Sequence, residues 1–143
     1  MENDLTKAVE HLRQGQYTCV LCRDDIMYTS RERGVKPLLD WLDGGLEAKG
    51  FSAADKVVGK AAAFLYVLLG VKEIYAHVIS EAAMGVFTEN HIPFLYDVSV
   101  EYIINRQGTG SCPMEEAVSG LSAPEEAPEA IRRRLAELRQ RSL

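Results

Sequence analysis

The sequence predicts an α/β protein, a three-layer α/β/α sandwich around a mixed sheet of about five strands. Segments with helical spacing of apolar residues alternate with short strand-like runs, which is the pattern of this fold class. Residues 73–79 are almost continuously apolar, as expected of a central strand that helices cover on both faces. An early pair of strand-like runs joined by a short polar turn predicts a hairpin, so antiparallel and parallel pairs should occur together.

Length and composition predict one globular domain over residues 1–143. A domain of this size buries about 68–70% of the surface of its unfolded chain. The hydrophobic fraction of 47% and the charged fraction of 26% are those of an ordinary globular protein. The net charge of -5 argues against a nucleic-acid-binding surface, which normally needs a basic stripe. Small molecules or proteins are therefore the expected partners.

Neither a targeting segment nor a membrane span is evident. The amino terminus lacks the basic and then apolar layout of a signal peptide, and no apolar run reaches about 18 residues. A cytoplasmic protein is expected, and an odd number of cysteines, 3, in that compartment argues against a disulfide framework. Cys19 and Cys22 form a C-x-x-C pattern, but in a strand their side chains point to opposite faces. Packing is therefore the expected role of this pair.

The first half of the chain predicts a helix, a hairpin and a second helix. Asp4 is a plausible N-cap for a helix that Gly15 ends, and strands are expected at 17–21 and 26–30. A charged stretch then leads into a helix around residues 38–42. Two readings of this stretch stay open: a solvated loop, or an anion-binding rim formed by its local excess of positive charge. The basic residues concerned are Arg31, Arg33 and Lys36.

The next segment predicts a long buried helix from Ser52 to Gly70. Ser52 would be its N-cap, with Asp55 three residues on in the manner of a capping box. Lys60 lies among small residues, which permit close approach of a sheet or a ligand. Its side chain could extend to solvent, or point inward as a cation for an anionic ligand.

A strand, a helix and a further strand are expected after that. Ser80 follows the strand at 73–79 directly and would N-cap a helix over 81–90. Strand end and helix start meet at Ser80 and Glu81, a common ligand position in open α/β sheets. Another strand is predicted at 94–100, and the final helix at about 129–141. His77, inside its strand, is expected to be a hydrogen-bonded core or surface residue rather than a ligand.

A glycine-containing loop joins a strand-like run at 102–104 to a helix that begins at Pro113. Cys112 would be the N-cap of that helix, where the pKa of a thiol can be lowered and the thiolate can act as a nucleophile. The loop matches no phosphate-binding fingerprint. It is either a tight turn with a packed thiol or a functional loop, and Asn105, Arg106 and Glu115 are the polar residues that favour the second reading.

Three stretches carry a resemblance: residues 55–63, 79–83, and 104–106 with 112–115. They resemble a small, uncharacterised prokaryotic family assigned to the cytidine deaminase-like fold, and the resemblance covers nearly the whole chain. In that fold a hairpin leads to a helix bearing the first zinc motif, followed by a strand and a helix bearing the second. The order of predicted elements here is similar.

The zinc-binding motifs of that fold are not found in this sequence. Zinc deaminases need H-x-E or C-x-E in the first motif and P-C-x-x-C in the second. At the corresponding places we align Gly59-Lys60-Ala61 and residues 80–85, and neither stretch can hold zinc. We therefore expect no metal site and no cofactor, and purified protein without stoichiometric zinc.

The resulting hypothesis is a former zinc site that binds a small nucleotide-like or anionic ligand. Cys112 is the candidate catalytic residue, and it is expected to meet Lys60 and Ser80 at the strand ends. The sequence leaves open whether the protein is a zinc-independent enzyme, a ligand sensor, or a structural protein, and it is compatible with a homo-oligomer. The candidate ligand-binding residues are Lys60, Ser80, Glu81, Asn105, Arg106, Gly110 and Glu115.

Overall fold

The computed structural model describes residues 3–104, 110 and 112–141. Helices and strands follow one another along the chain as the sequence pattern predicts, except at residues 52–58 and 102–104. A short 3-10 turn at Pro124–Glu126 precedes the last helix. The elements are α1 (Asp4–Gln14), β1 (Cys19–Arg23), β2 (Ile26–Ser30), α2 (Lys36–Asp43), β3 (Ser52–Val58), α3 (Lys60–Leu69), β4 (Glu73–Ser80), α4 (Glu81–Glu89), β5 (Phe94–Val100), α5 (Pro113–Val118) and α6 (Ala127–Arg141).

The five strands form one mixed sheet in the order β2-β1-β3-β4-β5. β1 is antiparallel to both of its neighbours, β2 and β3. The pairs β3–β4 and β4–β5 are parallel. Because parallel strands need crossover connections, α3 and α4 each join the end of one strand to the start of the next. The prediction of a mixed five-stranded sheet is confirmed.

Two hydrophobic clusters lie between the sheet and its helices. The smaller one joins Ala8 and Leu12 of α1 to Val20, Ala54 and Tyr75 of the sheet. The larger one contains apolar residues of α2, α3, α4, α5 and α6, packed against other residues of the strands. Helix α1 therefore covers one side and the remaining helices the other, which gives the expected α/β/α layers.

The expected helix start at Ser52 is wrong, because residues 52–58 form strand β3. Its residues pair with Cys19–Cys22 on one side and with residues 73–79 of β4 on the other. These long-range pairings outweigh the helix propensity of Ala53 and Ala54. Helix α3 begins only at Lys60. The strand-like run at 102–104 contributes a single bridge residue, Ile104. The sheet has five strands because residues 52–58 form β3, which the sequence had not predicted as a strand.

Several local predictions are confirmed. The Ser80 hydroxyl accepts a hydrogen bond from the Ala83 amide at 3.1 Å and caps α4. Cys19 and Cys22 belong to the two different hydrophobic clusters, as expected for strand residues three apart. At α1 the cap is Asn3 rather than Asp4, with its side chain bonded to the Thr6 amide at 2.8 Å. In the part of the chain that the structure describes, no helix is long and apolar enough to cross a membrane.

Candidate ligand-binding cleft

A cleft of about 910 Å³ opens at the carboxyl end of β3. This is the edge of an open α/β sheet at which ligands commonly bind. The start of β1, the residues before α2, the start of α3, and helices α5 and α6 form its walls. Its ionisable or nucleophilic lining residues are Cys19, Arg33, Lys36, Asp55, Lys56, Cys112 and Glu115.

Asp55 is a buried carboxyl group that lines the cleft. One carboxylate oxygen accepts a hydrogen bond from the Tyr66 hydroxyl at 2.6 Å, and the other accepts one from the Val57 amide at 3.2 Å. Burial raises the pKa of Asp55 to about 7, although both hydrogen bonds act to lower it. The carboxyl group can therefore exchange a proton close to neutral pH, so it can accept or donate a hydrogen bond.

Three basic residues line the same cleft: Arg33 and Lys36 near the start of α2, and Lys56 on β3. The Lys36 ammonium is 2.8 Å from the carboxylate of Asp40 on its own helix. Among the residues that the structure describes, Arg33 and Lys56 take part in no ion pair. The cleft therefore presents positive charge that is free to act on an anionic ligand.

Glu115 joins α5 to the first turn of α3. Its two carboxylate oxygens accept hydrogen bonds from the amides of Lys60, at 2.6 Å, and Ala61, at 3.0 Å. These amides belong to the group of N–H donors that have no partner inside a helix. Gly59 makes the contact possible, since a Cβ atom there would lie 2.3 Å from the Glu115 Oε1 atom. Glu115 thus caps the amino end of α3, which borders the cleft.

The three thiols have different environments. Cys19 and Cys22 are buried, and burial raises the pKa of both. Cys112 is partly exposed and lines the cleft. Its backbone amide donates to the Ile103 carbonyl at 3.1 Å, and its side chain makes no capping hydrogen bond to α5. Of the three cysteines, Cys112 is therefore the accessible one.

The sequence-predicted residues do not all come together. The Lys60 ammonium donates to the Ser119 carbonyl at 3.1 Å, at the far end of α5, and is not part of the cleft lining. Ser80 is buried in its capping role, while Glu81 and Gly110 are exposed. Cys112 and Glu115 do line the cleft. Asn105 and Arg106 lie outside the described residues.

Asp55 and Lys56 were missed as site residues because their segment was assigned to a helix. A strand assignment would have found them, because it puts both near the carboxyl end of a parallel strand. Arg33 and Lys36, for which the sequence left open a solvated loop or an anion-binding rim, both line the cleft. Arg31 instead stacks over the Tyr17 ring, at 4.5 Å from its centroid. Within the described ranges, no cluster of three or more His, Cys, Asp or Glu side chains could hold a metal ion.

Fold and cleft together define an α/β protein with a candidate ligand site at the end of a parallel strand. The model of a family described as "TM1506: Domain of unknown function (DUF1893)" matches residues 7–135, and the chain belongs to this family. The crystal structure of the DUF1893 family protein TM1506 from Thermotoga maritima is similar, with a TM-score of 0.83 and 27% sequence identity. The match covers 96% of this chain and 92% of that one. No curated protein matches the sequence.

Proposed function

We propose that the cleft binds a small anionic molecule of about nucleotide size. The observation that carries this proposal is the set of basic residues, Arg33, Lys36 and Lys56, that line one concave site. A volume of about 910 Å³ is at the upper end of the range of roughly 300–1,000 Å³ typical of small-molecule sites. Binding without chemical turnover is sufficient to account for these features.

We also propose that the fold is cytidine deaminase-like, and that the cleft corresponds to its zinc site. The hairpin β1–β2 leads into α2, then β3 and α3, which is the order of the two zinc-motif helices in that fold. The first and second zinc motifs would then fall at the starts of α2 and α3. The sequence alignment had put them one helix later, at residues 59–61 and 80–85, because β3 was counted as part of a helix. Both helix starts contribute to the cleft, and neither offers zinc ligands, with Pro37 and Leu38 in one and Ala61 and Ala62 in the other.

The proposal can be tested with nucleoside monophosphates as probes. Amide chemical shifts recorded during titration with adenosine 5′-monophosphate should change for residues 55–61 and around Arg33. The Arg33→Ala, Lys56→Ala double variant should bind at least about tenfold more weakly, because two charged contacts to the phosphate are lost. Lys72→Ala removes an exposed cation that is not part of the cleft lining and should bind like the wild type. Equal affinity of all three proteins would contradict the proposal.

A second candidate function is thiol chemistry at Cys112. It is favoured by the position of this side chain in the cleft, next to the helix turn that carries Glu115. In this reading Cys112 would be the nucleophile and the basic side chains would hold the substrate. Its first requirement is an accessible and reactive thiol, which alkylation can measure.

A further inference from the structure

We propose that the ligand of the cleft is dipolar, with an acidic group held by Arg33 and Lys56 and a separate N–H donor group held by Glu115 and Asp55. This inference rests on the proposed function and adds the chemical class of the ligand. It predicts that an anion alone satisfies only part of the site. A molecule with an amino, amidine or amide group in addition to its acidic group should bind more tightly.

The first supporting observation is that opposite charges line one cleft without pairing with each other. In the described part of the chain, neither Asp55 nor Glu115 forms an ion pair with Arg33, Lys36 or Lys56. The three basic residues are exposed, whereas Asp55 is buried and Glu115 is half-buried. A ligand with both an acidic group and N–H donors can therefore contact both sets without displacing an ion pair between them.

Glu115 provides a preorganised acceptor. Each of its oxygens accepts one amide hydrogen bond, at 2.6 and 3.0 Å, which fixes the carboxylate in place. A carboxylate has about four acceptor positions, so each oxygen keeps capacity for a further donor. Because the side chain is already ordered, a ligand N–H that reaches it does so at little additional entropic cost.

The Glu115 carboxylate also keeps the acidic group of the ligand away from the amino end of α3. The first amides of α3 would otherwise attract an anion, because they are unpaired donors at the positive end of a helix. Glu115 already occupies the amides of Lys60 and Ala61 and adds negative charge beside them. An acidic ligand group is therefore directed away from this end, toward the basic residues near α2 and on β3.

Asp55 provides the second acceptor. Its two oxygens accept bonds from Tyr66 and Val57, so each retains acceptor capacity as Glu115 does. Asp55 and Lys56 both line the cleft at the end of β3, although their side chains leave the strand on opposite faces. A ligand at this strand end therefore lies near an acceptor and near a member of the basic set.

Two nucleotides that differ in one donor group test this inference. Adenosine 5′-monophosphate carries an exocyclic amino group, and purine riboside 5′-monophosphate has the same phosphate and ring system without it. The wild-type protein should bind the amino compound about tenfold more tightly, which corresponds to one hydrogen bond to a charged acceptor. Isothermal titration calorimetry of both nucleotides provides the ratio.

Glu115→Gln and Glu116→Gln are matched variants on neighbouring residues. Glutamine keeps the size of Glu115 but replaces one acceptor oxygen with a donor, so the ratio of the two affinities should fall to about one. Glu116 is exposed, pairs with Arg134 and does not line the cleft, so its variant should keep the wild-type ratio. Equal binding of the two nucleotides by the wild type would overturn the dipolar inference and leave the anion site intact. Binding of neither nucleotide would overturn the proposed function as well.

Discussion

Cys112 differs from the other two cysteines in its access to solvent. Cys19 is 3% exposed and Cys22 is 0% exposed, whereas Cys112 is partly exposed in the cleft wall. We expect iodoacetamide to alkylate Cys112 faster than either of the others at neutral pH, because the thiolate must be accessible to react. Mass spectrometry of peptides taken at successive times measures the three rates. The Cys112→Ser variant gives the alkylation rates of Cys19 and Cys22 alone.

The result also decides between the two candidate functions. A Cys112 that stays unmodified in the folded protein would remove thiol chemistry and leave a binding site. The sequence alone indicated Cys112 and Glu115 as candidate site residues, and both line the cleft, because a proline at a helix start and acids in the first turn are local signals. It could not identify the two amides that Glu115 binds, since that contact joins residues about 55 positions apart in the chain.

At the scale of elements, α3 and α5 are held together by two polar contacts at opposite ends of α5. Glu115 binds the first amides of α3, and the Lys60 ammonium binds the Ser119 carbonyl. The Gly59→Ala variant puts a methyl group 2.3 Å from the Glu115 Oε1 atom. The carboxylate must then move, and we expect a loss of about 2 kcal/mol in the free energy of unfolding, as for a lost helix cap with charged hydrogen bonds. Urea unfolding measures this loss.

Two controls distinguish the loss of the Glu115 contact from a general effect of replacing glycine by alanine. Gly85 lies within α4 with no atom within 4 Å of an added Cβ, so Gly85→Ala should stabilise the protein by about 0.5–1 kcal/mol. In a Glu115→Ala background, Gly59→Ala should have little effect, because the carboxylate is already absent. A full loss of stability in that background would show that Gly59 has another role.

Most elements could be predicted because their signals are local. The apolar runs of β4 and β5, the serine cap of α4 and the glycine after α3 lie within or next to each segment. Strand β3 could not be found in this way, because Ser-Ala-Ala-Asp-Lys-Val-Val at 52–58 fits helical spacing and only its pairing with β1 and β4 makes it a strand. That single error displaced the predicted site, since the end of β3 carries Asp55 and Lys56.

For the molecule as a whole, the layers and the mixed sheet followed from the alternation of elements. Edge strand β5 exposes apolar side chains, with Leu95 60% and Val98 46% exposed. Such an edge is compatible with contact between copies of the chain, and a homo-oligomer stays a prediction. The stability of the whole fold also depends on the cleft, through the burial of one carboxyl group.

Asp55 should make the protein less stable as the pH rises toward neutrality. Burial raises its pKa in the folded state to about 7, whereas an aspartate in an unfolded chain titrates near pH 3.9. Between these values the folded state holds a proton that the unfolded state has released. The stabilising contribution of the neutral carboxyl group is therefore complete below about pH 4, declines as the pH rises to about 7, and is lost above it.

The Asp55→Asn variant tests this dependence, because the amide stays neutral and can still bond to Tyr66 and Val57. The pKa difference corresponds to roughly 4 kcal/mol, so the variant should be more stable than the wild type by up to this amount at pH 8 and should lose the decline between pH 5 and 7. Urea unfolding of both proteins at pH 5, 6, 7 and 8 provides the comparison. Asp25→Asn replaces an exposed carboxyl group in the β1–β2 turn and should keep the wild-type pH profile. If Asp55→Asn follows that same profile, the buried carboxyl group does not control the pH dependence of folding.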